Sequence, residues 1–257
     1  MGKTLLSAFA ATVPFLFAGV AADAAELKVF VGGAMTETIE KIGADYAKSS
    51  GNTMRYVSDT TGALLNRLKA GEKADVLVIT APAMDGLQKD GALQPGSRTE
   101  LVKALIGVAM KPGAKKPDLS SADTFRASLL AAKSVSYVNP KAGGTSGTYF
   151  EGLMSKMGIS DAMKQKIVYR NQGSEVADAV AKGEAEIGIS FIAELAPNKG
   201  VAIAGPLPDS IQLPTNYVAA IPLGSANTDA ARAYIKAMTN PSGTAVFKAA
   251  GLEPLGH

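Results

Sequence analysis

The chain has 257 residues, with 26 Lys and Arg against 23 Asp and Glu, a net charge of +3, one His, no Cys and no Trp. Without Cys it offers no disulfide, no thiolate nucleophile and no Cys-ligated metal, and its one His is the final residue, His257, which leaves no His-dependent triad or metal site within a fold. Lys and Arg are scattered among Asp and Glu, with no basic stripe and no aromatic platform, which argues against a nucleic-acid partner.

The first element is a leader. MGKTLLSAFAATVPFLFAGVAADA combines a positive start at Lys3, an apolar stretch from Leu5 to Val20 and the small-x-small site Ala22-Asp23-Ala24. This is the layout of a cleavable signal peptide. The apolar stretch is shorter than the ~20 residues a bilayer span needs, and Pro14 interrupts it. The expected mature chain begins near Ala25, is exported and, lacking Cys, carries no lipid tether. About 230 residues remain, enough for one large core or two lobes.

Strand and helix patterns then alternate. Leu27–Val31 reads as a strand, followed by a helix from Thr36 to Lys48 with Ile39, Ile42 and Tyr46 on one face. Met54–Val57 is extended, Leu64, Leu65 and Leu68 mark a helix, and Asp75–Ile79 is a buried strand. The polar stretch Lys111–Pro117 is expected to connect two lobes. Beyond it come a strand at 134–138, a helix over 146–157, a strand at 167–169, a helix over 174–182 and the strand Glu186–Phe191. Pro206, Pro208 and Pro214 mark a second crossing, before an extended segment at 217–221 and helices near 230–238 and 242–249. The expected fold is α/β in two lobes, each a mostly parallel sheet flanked by helices. Lobe one covers residues 25–106 and 216–257, and lobe two covers 107–215.

Four helices open directly after a strand on small, hydroxylated or glycine residues: at Gly33 and Ala34, at Thr60 and Thr61, at Thr145, Ser146 and Gly147, and at Gly173 and Ser174. Each such residue is also an ordinary helix cap, worth ~1 kcal/mol. The first helical turn nevertheless leaves backbone N–H groups unpaired at the positive end of the macrodipole, where an anion can bind. In an open α/β sheet these turns gather at one edge, so facing lobes could enclose one small ion. Asp45, Asp59, Asp75 and Glu151 stand apart, with no pair spaced for acid–base work, and GGTSGT at 143–148 lacks the ending of a phosphate loop. Asp75 is read as capping or hydrogen-bonding locally beside its strand. On these grounds no enzymatic activity, cofactor or metal is expected.

The segments KVFVGGAMTETIEKIGADYAK, TTGALLNRLKAGEKADVLVITAPAMDGL, AVAKGEAEIGISF and AARAYIKAMTNPSGTAVFKAAGLEP resemble the periplasmic molybdate-binding proteins of ABC importers, within the class II periplasmic binding fold. The resemblance covers nearly the whole mature chain. It implies a monomer in the periplasm that captures a small anion by hinge closure and docks on an ABC permease of the inner membrane. A sensory module presenting the same cleft to a receptor is the alternative.

Carried over from the family, the binding positions fall on Ala34, where a hydroxyl is missing, on Thr61, on Ser146 and Gly147, on Gly173, and on Phe191, where a Tyr hydroxyl is missing. Two lost donors favour an organic carboxylate over molybdate or tungstate, since missing hydrogen bonds leave buried charge unpaired. Arg170 is a candidate for bidentate pairing with such a carboxylate, and Asn171 and Ser190 are further candidates.

Overall fold

A computed structural model describes residues 24–255, so the expected signal peptide lies outside the described residues. In chain order the first elements are β1 (Glu26–Gly32), a 3-10 turn (Gly33–Met35), α1 (Thr36–Ser50), β2 (Thr53–Asp59), α2 (Thr61–Lys69), β3 (Val76–Thr80), α3 (Ala81–Lys89) and β4 (Thr99–Ala104). The middle of the chain forms β5 (Ile106–Met110), α4 (Ala122–Ala131), β6 (Val135–Val138), α5 (Thr145–Lys156), α6 (Ser160–Met163), β7 (Ile167–Arg170), α7 (Gly173–Lys182), β8 (Ile187–Phe191), α8 (Ile192–Leu195) and β9 (Ala202–Pro206). It closes with β10 (Thr215–Ala220), α9 (Thr228–Thr239), α10 (Pro241–Ala249) and β11 (Glu253–Pro254).

The strands form two sheets, ordered β11-β4-β10-β3-β1-β2 and β7-β6-β8-β5-β9. Both are mixed. β1 runs parallel to β2 and β3, and β6 parallel to β7 and β8, but β10 and β5 lie antiparallel to their neighbours. The expectation of mostly parallel sheets is corrected to this extent: β10 and the short β11 run against the other strands of the first sheet, and β5 runs against those of the second. The α/β class with helices flanking two sheets holds.

Sequence explains the layers. β3 (VLVIT) is buried at every position, the continuous apolar run of a strand covered on both faces. α1 turns Ile39, Ile42 and Tyr46 inward and stops at Gly51, whose φ of 77° is the left-handed cap that glycine accepts without penalty. One apolar cluster passes from Val31, Val78 and Tyr217 of the first sheet to Val108, Ile189 and Phe191 of the second. The Phe191 and Tyr217 rings meet edge to face at 5.9 Å, joining the two sheets where the strands end.

The first crossing between sheets is shorter than expected. Leu105 alone separates β4 from β5, and Lys111–Pro117 lies beyond β5, on the way to α4, rather than between the sheets. The return runs from β9 through a 3-10 turn (Asp209–Ile211) into β10. Gln212 bridges the two crossings: its Oε1 accepts from Ile106 N at 3.1 Å, and its Nε2 donates to Ile106 O at 2.9 Å.

Asp75 hydrogen-bonds beside its strand, but to partners distant in sequence rather than locally. Its Oδ2 accepts from the Lys28 backbone N at 2.9 Å, and its Oδ1 accepts from Ser225 Oγ at 2.8 Å and Asn227 Nδ2 at 3.3 Å. The carboxylate thereby ties β1 and β3 to the turn that starts α9. Asp75→Ala strands these donors, so it is expected to cost about 2 kcal/mol and lower the melting temperature by roughly 4–8 °C, measured by differential scanning calorimetry.

Candidate functional site

The C-terminal ends of β1, β2, β6 and β7 face a gap between the two sheets, and the helix starts gather there. A small inner hollow of about 20 Å³ is lined by Gly33, Asp59, Thr60, Thr61, Val138, Gly144, Thr145, Ser146, Gln172, Gly173, Phe191, Glu194 and Tyr217. Most of the residues singled out from sequence meet in this one place, from both sheets. Hydrogen bonds cross the gap beside it: Thr60 Oγ1 donates to Ala142 O at 2.5 Å and Gly62 N to Gly143 O at 3.2 Å. A Cβ on Gly62 would stand 2.8 Å from the Gly143 Cα, so the backbones approach this closely only because both positions are glycine.

The helix starts differ in how far their donors are already used. Thr60 caps α2 by accepting from Ala63 N at 3.2 Å, and α7 carries a capping box between Gln172 and Glu175. α5 has no side-chain cap, and its first turn carries the buried Ser146, whose Oγ lies 3.3 Å from Ser190 Oγ. Gly147 packs its Cα face against the Val138 carbonyl, where any Cβ would collide, so it serves the seating of α5.

Other predicted residues lie elsewhere. Ser174 faces an adjoining outer hollow of about 510 Å³, shared with Gly33, Thr36, Ser58, Gln172 and Glu194. Ala34 is buried and lines a separate depression behind the 3-10 turn with Lys41 and Ala250. Arg170 is engaged away from the gap: its guanidinium pairs with Glu184 and donates to the Tyr169 carbonyl at 2.8 Å. Asn171 donates its backbone N to Glu175 at 2.9 Å. A wider depression of about 810 Å³ runs along residues 116–120 and 204–210.

Two residues at the gap were missed in the sequence. Tyr217, from β10, brings a phenol to the wall where Phe191 lacks one. Glu194, on the short α8, places its carboxyl between the sheets. Its Oε2 accepts from Ser190 Oγ at 2.6 Å, and the Phe191 backbone N–H also bonds the carboxyl. A Cβ on Gly33 would lie 2.5 Å from Oε1, and one on Gly173 would strike Oε2. The carboxyl therefore fills the spot framed by two helix starts from opposite sheets. The Glu194 stem reaches the outer hollow, so the residue as a whole is half-buried while its acid group is enclosed.

Burial raises the Glu194 carboxyl from its ordinary 4.5 to about 7, against the opposing pull of the bonds from Ser190 and Phe191. The nearby Tyr217 phenol is pushed well upward, by its own burial first and by the Glu194 charge second. No Lys or Arg lines the inner or outer hollow among the described residues; the other charged liners are Asp59, Glu37 and Asp178. The gap thus combines neutral donors with one enclosed acid poised near neutrality.

The profile of a family described as bacterial extracellular solute-binding proteins matches residues 27–253. The chain belongs to that family. It is 30% identical over 237 residues to a Pseudomonas protein named aconitate isomerase, covering 89% of this chain and 88% of the relative. It is 24% identical over 255 residues to the molybdate-binding protein ModA of Escherichia coli K12, covering 98% of each. The fold matches the periplasmic molybdate-binding protein of Azotobacter vinelandii with a TM-score of 0.70 and 23% identity, covering 88% of this chain and 98% of that one.

These comparisons correct one expectation. A solute-binding protein of this sequence was expected to have no enzymatic activity, yet a relative at 30% identity is named for one. The expectation rested on the missing His and on isolated carboxylates, and it overlooked Glu194, an acid flanked by Ala193 and Leu195 just after a buried strand.

Because the folded protein holds the Glu194 proton up to about pH 7 while the unfolded chain releases it near 4.5, stability falls as pH rises between these values and stays reduced above them. Glu194→Gln removes that penalty. It is expected to melt roughly 2–6 °C above wild type at about pH 8, with the gap closing by about pH 4, followed by thermal melts across the range.

Proposed function

We propose that this solute-binding protein works in the periplasm and captures a small organic carboxylate, of the size and charge of aconitate, between two lobes that close on it. On the observed strands lobe one is residues 25–104 with 215–257 and lobe two is 106–214, in place of the expected 25–106 with 216–257 and 107–215. The crossings at Leu105 and at 207–214, bridged by Gln212, are the hinge. The closed monomer then presents its ligand to an ABC permease.

The observation that carries this reading is the Glu194 carboxyl itself, already seated between Gly33 and Gly173 with bonds from Ser190 and Phe191. A cradle that accepts one carboxylate has the donors and the width for another. The relative named aconitate isomerase agrees with an organic acid. Molybdate is the second reading, favoured by relatives named for it. Against it stands Phe191, which offers no hydroxyl, although Tyr217 brings one to the same wall.

A thermal-shift screen of the mature protein against molybdate, tungstate, sulfate, phosphate and mono-, di- and tricarboxylates separates the two. The carboxylate reading expects a shift with one organic acid and none with molybdate; a shift with molybdate and tungstate alone contradicts it. In calorimetric titrations with the acid so found, Thr61→Ala with Ser146→Ala is expected to weaken binding by about 30-fold or more, since hydrogen bonds to a charged group are lost. Arg170→Ala, whose guanidinium is held by Glu184, is expected to change affinity by less than about twofold.

A further inference from the structure

The Glu194 carboxyl has a second property that a passive cradle does not need. Its two oxygens lie close to turns that follow strands of both sheets, Oε1 beside Gly33 and Oε2 beside Gly173. It stands at the junction between the inner hollow of about 20 Å³ and the outer one of about 510 Å³, lining both. A six-carbon acid exceeds the inner space, so any ligand that engages the helix starts and extends outward passes Glu194. No Lys or Arg among the described lining residues competes for the carboxyl; Ser190 and the Phe191 N–H hold it from one side.

From this placement, and resting on the carboxylate reading above, we infer that Glu194 is a catalytic acid–base that moves a proton along a bound unsaturated polycarboxylate, so that the binding cleft also isomerises its ligand. The step is an allylic proton shift. A C–H bond breaks at the methylene next to a ligand carboxylate, and the proton passes to a Glu194 oxygen. The electron pair delocalises over the three-carbon frame, and the double bond migrates. The same carboxyl then returns the proton to the former vinylic carbon, forming a new C–H bond there. Product and substrate have the same formula, and no oxidant, reductant or co-reactant takes part.

The surroundings suit each half of the step. Negative charge that spreads onto the ligand carboxylates meets the uncapped start of α5 at Thr145 and Ser146 and the start of α7 at Gly173, donors already in place before reaction. An acid with its ionisation near neutrality exists in both the accepting and the donating form, which proton shuttling requires. The titratable groups that share its lining, Asp59, Glu37, Asp178 and Tyr217, are acids and a phenol, so no cation among the described lining residues offsets the effect of burial.

The test uses cis- and trans-aconitate as probes. Each is incubated with the mature protein in D2O, deuterium entry and isomer ratio are followed by NMR, and binding is measured in parallel by calorimetry. Wild type is expected to bind, to exchange the ligand methylene and to interconvert the isomers, faster as pH rises and Glu194 ionises. Glu194→Gln is expected to bind within about threefold of wild type while exchanging at least about 100-fold more slowly. Glu194→Asp, which keeps the acid but withdraws it, is expected to fall between, and it carries the test if the Gln variant fails to fold. Exchange by Glu194→Gln at the wild-type rate would overturn the role of Glu194. Binding of either acid by wild type without exchange would overturn the activity and leave the carboxylate reading standing. Binding of molybdate with neither aconitate bound would overturn both.

Discussion

A carboxyl group enclosed between two sheets, answered only by hydroxyls and backbone N–H groups, is the feature on which the account of this protein turns. Charge in such a place is tolerated when enough neutral donors point at it, and otherwise it takes up a proton. Ser190 and the Phe191 N–H bond the Glu194 carboxyl, and the glycines at 33 and 173 let it lie against both helix starts. The balance leaves it divided between charged and neutral states near neutral pH. On the proposed reading, the same balance is what admits a ligand carboxylate and lets Glu194 exchange its protons.

Topology brings these groups together. The parallel pairs β1–β2 and β6–β7 send their C-terminal ends, and the turns after them, toward the same gap from opposite sides. The antiparallel strand β10 then carries Tyr217 back from the second sheet to the first and stands its ring against Phe191. The narrow Gly62–Gly143 approach lets the sheets close to hydrogen-bonding distance, and Gln212 couples the two crossings on which such closure would turn.

Much of this was legible in the residues. Short β-rich runs marked β1, β3, β6 and β8, and the small-residue turns after strands located the starts of α2, α5 and α7 to within a residue or two. Three things were not legible, each because it depends on partners distant in sequence. Leu101–Met110 is apolar apart from Lys103, with no turn signal beside Leu105, so nothing local revealed that Leu105 changes sheet within it. Arg170 stood at a strand end facing the gap by position, but Glu184, 14 residues on, claims it. Glu194 and Tyr217 lie outside the glycine-rich turns and meet only because β8 and β10 belong to different sheets that touch. The family's hydroxyl positions, mapped residue by residue, could not show that a phenol from another strand stands beside Phe191.

The claim that binds the rest is that a ligand carboxylate enters the cradle next to Glu194. A second negative charge there must raise the proton affinity of Glu194, so binding above its free-state value of about 7 has to draw a proton from solvent. Calorimetric titration of the mature protein with trans-aconitate at about pH 8, in buffers of different ionisation enthalpy, measures that proton directly. The account predicts a fractional uptake, above zero and below one proton per ligand bound, which leaves part of Glu194 ionised to act as a base; binding with no dependence on the buffer would contradict it.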